Sequence, residues 1–371
     1  MKDLFYRTWA LIIKELQTLL NDPQGRRILI LPVLLQLLLF PFAVTLDVKN
    51  NTIAVLNQDS GSVSTELMQR FSQAEAFTHF IELHNEAEMR RTIENQNALV
   101  VVYFPSNFSR QFKSGRPAPL QVILDGRRSN SGQIVFGYIQ EMVQQYTDEQ
   151  NTAAGRPPLS QLIVRHWFNP NLDYKYFILP SLVAIITTIS ALVVTALSVA
   201  REREHGTFDQ LLVSPLTPEM IMIGKAVPAQ IVGAVQATII LTAAIFVYRI
   251  PFEGSLILLY TGMFFYTLSL VGFGLLISSL CSTQQQAFLG VFCFMMPGTL
   301  LSGYTSPIDN MPGWLQALTW LNPLRHYIII VKSIFLKDAS AGFVWLNILP
   351  LIAIAALTLT LAIWIFRRRI G

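Results

Sequence analysis

Six stretches of this chain contain no Asp, Glu, Lys or Arg: residues 28–46, 176–200, 226–248, 255–281, 287–304 and 343–366. An α-helix rises 1.5 Å per residue, so about 20 such residues cross the roughly 30 Å of hydrocarbon in a bilayer. The runs have that length, and they predict six transmembrane helices. Only 13% of the residues are charged, about half the share in soluble domains, which is too little polar surface for a protein whose main solvent is water. A purely soluble enzyme, a fibrous protein and a disordered chain are excluded. The first run is expected to be retained rather than removed as a signal peptide. About 27 charged and amphipathic residues precede it, and its 19 apolar residues exceed the usual 7–15.

Basic residues set the orientation. Residues 1–27, the 201–225 loop and the tail Arg367, Arg368, Arg369 hold 5, 3 and 3 Lys or Arg, whereas the short loops on the other side hold only Arg249, Arg325, Lys332 and Lys337. The remaining 12 lie between the first two runs, in a segment long enough to translocate whatever its charge. Both termini are therefore predicted cytoplasmic and residues 47–175 external. The net charge of +4 follows from this inward bias, and no basic patch interleaved with aromatics points to nucleic acid. Cys281 and Cys293 both fall outside the external segment and cannot staple it.

Residues 4–20 place Phe5, Trp9, Ile12, Ile13, Leu16, Leu19 and Leu20 on one helical face with Asp3, Arg7, Lys14 and Thr18 opposite, the pattern of an in-plane interfacial helix on membrane lipid or, alternatively, of a soluble helix packed on a partner. The external segment alternates strand and helix signals. Strands are expected at Thr52–Leu56, Ala98–Phe104 and Leu120–Leu124, and helices at Ser62–Ser72, Glu86–Asn95 and Ser129–Tyr146, giving a βαβαβα layered α/β domain. On the last helix Val135, Ile139, Met142 and Tyr146, with Ile134 and Tyr138, form the expected inward stripe. Gly155, Pro157, Pro158, Asn169 and Pro170 then break structure before the second span.

Catalysis by this chain has no motif behind it. Gly224 and Lys225 are not part of a phosphate-cradling Gly-x-x-x-x-Gly-Lys-Ser/Thr loop, the five histidines His79, His84, His166, His205 and His326 are scattered, and no Gly-x-Ser-x-Gly elbow occurs. No ionisable residue sits within the six runs, which disfavours an ion-coupled transporter. Gln36, Thr187, Thr188, Gln230, Gln236 and Asn347 fit interhelical hydrogen bonding. Energy for transport is expected to come from another chain.

The loop after the second run reads REREHGTFDQLLVSPLTPEMIMIGK, Arg201–Lys225. It holds a charged knot (Arg201, Glu202, Arg203, Glu204), a break at Gly206 and Thr207, and a short helix carrying Phe208, Leu211 and Leu212 on one side. Pro215 ends that helix, and Thr217 with Pro218 caps the next. Such a loop offers a knob for a partner's cleft, or simply anchors a helix end at the interface. The pattern Glu-Arg-Glu-x-Gly-Thr-x-x-x-Leu-Leu-x-x-Pro at Glu202–Pro215 resembles the signature of ABC type 2 transporter permeases. The stretch Leu301–His326 is similar to their external turn, with Met311, Pro312 and Trp314 in place. The resemblance extends over nearly the whole chain. It is strongest to multidrug-efflux permeases of Gram-negative bacteria, encoded as two similar permeases plus an ATPase, with Ser269–Phe288 and Phe168–Phe177 as further support.

The resemblance implies an α-helical polytopic inner-membrane protein with six transmembrane helices, like a type V ABC exporter, plus a large periplasmic α/β domain between helices 1 and 2. Its expected parts are a connecting helix at 1–27, the first span at 28–46, the periplasmic domain at 47–175, and spans 2–6 at 176–371 with a coupling loop at 201–225. Glu202, Arg203, Glu204, Gly206, Thr207, Phe208, Leu211, Leu212 and Pro215 would dock on a separate ATPase, which would bind ATP and Mg; this chain itself needs no cofactor or metal. The second and fifth spans would line a path for hydrophobic or amphipathic compounds between this chain and a second permease, similar or identical. The faces they offer are Thr188, Leu192 and Thr195, and Phe288, Phe292, Met295, Met296 and Thr299. Met with Phe suits loosely specified apolar cargo and plain helix packing alike.

Pro297 and Gly298 interrupt the fifth run, and within 304–326 the stretch from Pro307 to Pro323 is too short and proline-broken to span again. A re-entrant external hairpin fits, with Leu301, Gly303, Pro307, Met311, Pro312 and Trp314 as an exit gate. The alternative is a surface loop with Trp314 and Trp320 as interfacial anchors. A periplasmic adaptor is a further expected partner. Two other readings compete: a membrane-anchored periplasmic binding or scaffold protein, for which one span would suffice, and cation exchange by the same complex, which the charge-free spans oppose.

Overall fold

The amphipathic N-terminal stretch forms α1 (Lys2–Asn21), and after Asp22 the chain continues as α2 (Pro23–Ala43). The computed structural model describes residues 2–43, 51–155, 174–208, 213–214 and 216–370. The chain divides into two compact units, residues 45–165 and residues 1–44 with 166–371.

The smaller unit is built on a four-stranded sheet. In chain order it runs β1 (Asn51–Asn57), α3 (Ser62–Gln73), β2 (Phe77–Leu83), α4 (Glu86–Glu94), β3 (Val100–Phe104), α5 (Phe108–Lys113), β4 (Gln121–Leu124) and α6 (Ser129–Ala153). The sheet order is β2-β1-β3-β4. β1 lies parallel to both β2 and β3, while β4 is antiparallel to β3. Alternation along β1 and β3 fills two cores: Ile53, Val55, Val100 and Val102 join Leu67, Phe71, Ile139 and Tyr146 on one face, and Ala54, Leu56 and Val101 join Leu83 on the other. The three expected strands and three expected helices are present, but the sequence reading omits β2 and α5. β2 is an edge strand whose Thr78, His79 and Glu82 are exposed, so its apolar signal is diluted. The α6 stripe buries Val135, Ile139 and Tyr146 as expected, while Tyr138 is exposed.

At the C-terminal ends of β1 and β3, where the two crossovers diverge, Asp59 is buried. Its Oδ2 accepts from Gly61 N (3.2 Å), Ser64 Oγ (2.8 Å), Ser109 N (3.3 Å) and Ser109 Oγ. Burial pushes this carboxyl up, but the four hydrogen bonds outweigh it and hold the pKa below the usual range. The crevice that often receives ligands in open α/β sheets is here closed by its own side chains.

The larger unit contains α7 (Lys175–Glu204), α8 (Pro218–Thr242, continued by a π-helical turn Ala243–Val247), α9 (Leu256–Leu280), α10 (Gln284–Leu300), α11 (Gly313–Leu318), α12 (Pro323–Lys337) and α13 (Ala341–Ile370). Four described helices are long and apolar enough to cross a membrane: Lys175–Glu204, Glu219–Val247, Leu256–Leu280 and Ala341–Ile365. In α2 the described apolar stretch is Leu29–Phe40, and α10 has 17 residues, about 26 Å of helix. α7 is the hub. It packs on α2, α8, α9, α10 and α12, and its residues Ile178, Leu182, Val183, Ile186 and Leu192 are fully enclosed.

Candidate functional site

α7 ends in a turn whose geometry is dictated by Gly206. The Thr207 N–H donates to Glu202 O (3.0 Å) and the Gly206 N–H to Arg203 O (3.1 Å), the paired bonds of a Schellman motif, which needs a left-handed residue after the C-cap. Gly206 supplies it at φ +69° at no steric cost. This stop fixes where the four charged residues before it point.

They point in different directions. Arg201 pairs with Asp22 at 2.9 Å, and Arg203 donates to the carbonyls of Ser279 (2.9 Å) and Cys281 (3.0 Å) while lying over the Phe208 ring. Glu204 is exposed and accepts from the Gln284 N–H (2.8 Å), capping the start of α10. Glu202 turns inward and is only 6% exposed. Lys225 Nζ on α8 sits 2.7 Å from Glu202 Oε2, 3.2 Å from Glu15 Oε1 on α1, and 2.8 Å from Ser198 Oγ on α7. Lys14 Nζ closes the circuit at 2.6 Å from Glu202 Oε1 and 3.1 Å from Glu15 Oε1, and the Ser198 hydroxyl donates to Glu15 Oε2 (3.0 Å).

Two carboxylates and two ammonium groups thus balance between three helices, where an unpaired charge would be costly. Burial alone raises the Glu15 carboxyl; the ammonium groups of Lys225 and Lys14, with the bonds from Lys14 and Ser198, outweigh it and hold it below the usual carboxylate range. Burial lowers Lys14, but its bond to Glu202 and the charges of Glu15 and Glu202 raise it above the ordinary lysine value. The approach of α1 to α8 depends on Gly224, since a Cβ there would fall 2.4 Å from Leu11 Cδ2. Beside the charges is a cavity of about 260 Å³ walled by Leu19, Leu29, Val193, Leu197 and Pro228.

The residues singled out from the sequence are distributed as follows. Glu202 and Phe208 are built into the helical unit, Phe208 against a core containing Ile221, Met222 and Leu275. Glu204, Gly206 and Thr207 remain on the outside. Leu211, Leu212 and Pro215 lie outside the described residues. Sequence reasoning misses Glu15, Ser198 and Lys225. The available signal was a single acid between Ile12 and Leu19 on the apolar face of α1, and a lysine at the edge of a charge-free run. That face is itself divided: Leu11, Ile12 and Glu15 are buried against the bundle, while Phe5, Trp9 and Leu20 are exposed.

On α7 the path candidates Thr188, Leu192 and Thr195 are buried. Thr188 bonds to the Tyr266 hydroxyl of α9, and the Thr195 hydroxyl donates to Ala191 O (2.6 Å). On α10, Phe288, Phe292 and Met296 face outward, about half exposed, and Met295 and Thr299 are half-buried. Within this chain the two sets are not brought onto one surface.

The segment between α10 and α12 is a hairpin clasped at its base. Asn322 caps α12 by accepting from the Leu324 N–H (3.1 Å), and its amide donates to Gly298 O (2.6 Å) across 24 residues. Leu301 and Gly303 lie in the first turn, with Gly303 at φ +80°. Pro307 precedes a 3-10 turn, Met311 and Pro312 lead into α11, and Trp314 is 72% exposed. Arg325 lies over Trp320 and donates to Gln316 O (3.3 Å), while His326 Nε2 is 3.0 Å from Trp320 O, so the hairpin is stapled to α12.

Apolar helices around a buried charge cluster, with the Glu202–Pro215 signature at the end of the hub helix, define a polytopic membrane permease, and residues 28–364 match the ABC-2 family transporter proteins, a family to which this chain belongs. It is 59% identical over 367 residues to the probable multidrug ABC transporter permease YbhR of Escherichia coli K12, covering 99% of this chain and 100% of that protein. The probable multidrug ABC transporter permease YbhS of the same strain is 30% identical, covering 98% and 97%, and the inner membrane transport permease YhhJ is 29% identical, covering 97% and 96%.

Proposed function

We propose that this chain is the membrane-spanning subunit of an ATP-driven exporter that moves hydrophobic or amphipathic compounds, drugs among them, out across the inner membrane. A separate ATPase binds ATP and Mg and supplies the energy. The observation that carries the reading is the charge circuit: the Arg201–Thr207 turn, where an ATPase would push, is tied through Glu202, Glu15 and Lys225 to α1, α7 and α8 together. A push at the turn therefore moves three helices rather than a loop. Glu204, Gly206 and Thr207 remain available for docking, and Glu202, Arg203 and Phe208 act as the rigid seat behind them. The similarity to YbhR and YbhS, both probable multidrug ABC transporter permeases, supports drug transport.

In this reading the chain has six spans, α2 and α10 included, both termini are cytoplasmic, and the α/β unit and the 304–326 hairpin are periplasmic. The outward Phe288, Phe292 and Met296 of α10 meet a second permease, similar or identical, and a periplasmic adaptor completes the assembly. Native-condition purification should recover an ATPase subunit, and vesicles containing the complex should export a hydrophobic dye only with ATP. Recovery of no ATPase under conditions that preserve membrane complexes would overturn the reading, as would dye movement that persists without ATP.

A further inference from the structure

At the end of α7 remote from Gly206, about 40 Å along the helix, three aromatic rings and a lysine converge. Phe177 stacks with Tyr174 (centroids 5.4 Å apart, planes at 17°) and with Tyr304 (6.1 Å, 15°). The Lys332 ammonium of α12 lies 3.4 Å from the Phe177 ring centre. All four residues are half-buried. Among the described residues no carboxylate pairs with Lys332, and neither its N–H groups nor the two tyrosine hydroxyls have a hydrogen-bond acceptor.

That inventory is one-sided. The ring face offsets part of the cost of withdrawing an ammonium from water, but a partly desolvated cation with no counter-charge still carries a solvation deficit. Five donor hydrogens stand beside it with no protein acceptor among the described residues, three from the lysine and one from each phenol. A ligand carrying a negative head would satisfy both, and the stacked rings offer a flat apolar wall for its body. A cationic ligand would meet Lys332 first and be repelled.

We propose that Lys332, Tyr174, Phe177 and Tyr304 form a binding site for an amphiphile with an anionic head (carboxylate, sulfonate or phosphate) and an apolar or planar tail. The ammonium and phenols hold the head and the rings hold the tail. The site deepens the export reading by naming a charge class of cargo, and it rests on that reading only for its role; binding at the site can be measured without transport.

The test uses the full-length chain in phosphatidylcholine nanodiscs with two radiolabelled probes of one shape, pyrenebutyrate and its butyltrimethylammonium counterpart. The wild-type protein should bind the anion at least tenfold more tightly than the cation. Lys332→Gln should weaken the anion about tenfold, Lys332→Arg should retain it, and Tyr174→Phe with Tyr304→Phe should weaken it by a smaller factor. Because Lys332→Arg and the tyrosine pair conserve charge and bulk, they give a result even if Lys332→Gln fails to fold. Equal affinity for both charges overturns the proposal, as does anion binding indifferent to Lys332→Gln and to the tyrosine pair. Repeating the titration with phosphatidylglycerol in the disc assigns the source: competition identifies a lipid head group, and its absence a free amphiphile. Loss of ATP-dependent export with anion binding intact counts against the exporter reading alone.

Discussion

Asp59 in the α/β unit and Glu202 in the helical unit are both carboxylates withdrawn from water, yet they are satisfied by opposite means. Asp59 receives only neutral donors, two hydroxyls and two amides, from Gly61 and from the first turns of α3 and α5. Glu202 receives two ammonium groups, carried by α1 and α8. The neutral knot fixes a local shape and leaves one net charge close to its own backbone. The ionic circuit joins segments as far apart in sequence as residues 15 and 225, and holds only while all four charges are present. A region that needs a fixed shape is served by the first arrangement, and one that must pass displacement between helices by the second.

The ionic circuit is most vulnerable at Lys225, which touches both carboxylates. Lys225→Met leaves two buried carboxylates sharing Lys14, and the expected loss is about 3–5 kcal/mol, read as a large fall in melting temperature of the purified protein. Adding Glu202→Gln should restore much of it. No fall in the single variant would mean that the circuit contributes nothing. Asp59→Ala should cost less, about 1–3 kcal/mol, because the donors it frees are neutral hydroxyl and amide groups rather than charges. Amide exchange should rise around residues 61–64 and 108–109 and stay unchanged in α7.

Titration sharpens the contrast. Asp59 and Glu15 both have depressed pKa values, so each contributes stability that is present above its unfolded pKa and lost as pH falls through the folded value. Lys14 is raised, so its contribution is present below its unfolded pKa and lost as pH rises through the raised one. The helical unit is therefore limited at both ends and the Asp59 knot only in acid. Melting temperature followed against pH should show an alkaline limb that Lys14→Gln flattens and Asp59→Asn does not. Gly206→Ala should cost about 1–2 kcal/mol through left-handed strain, with Gly206→Asn milder; equal stability of all three would remove the case for the fixed turn. The smallest effect belongs to Arg70 and Glu149, an exposed ion pair on the α/β unit. Arg70→Ala should leave the melting temperature within measurement error.

Much of this architecture is legible in the residues alone. Unbroken runs of β-branched and other apolar residues at Thr52–Leu56 and Ala98–Phe104 mark the central strands because both their faces are buried, whereas the edge strand Phe77–Leu83 shows water on one side and blurs the signal. The Glu202–Pro215 pattern marks the site but not its direction. Whether a glutamate in a charged run faces a partner or its own fold depends on a lysine 23 positions later and an acid on a different helix, and no local rule links them. Likewise Thr188 and Thr195 read as polar positions on a helix face, and only the packing of α7 against α9 shows that the face is covered.

The Asn322–Gly298 clasp bears on how this molecule tolerates change. Once the ends of a loop are pinned, doubling its length raises the closure cost by only about 0.6 kcal/mol. The turns between Leu301 and Leu321 can therefore lengthen, shorten or exchange residues at little thermodynamic expense while α10 and α12 keep their places. The clasp lets the hairpin vary in length, provided that Asn322 and the Gln316 and Trp320 contacts to α12 stay.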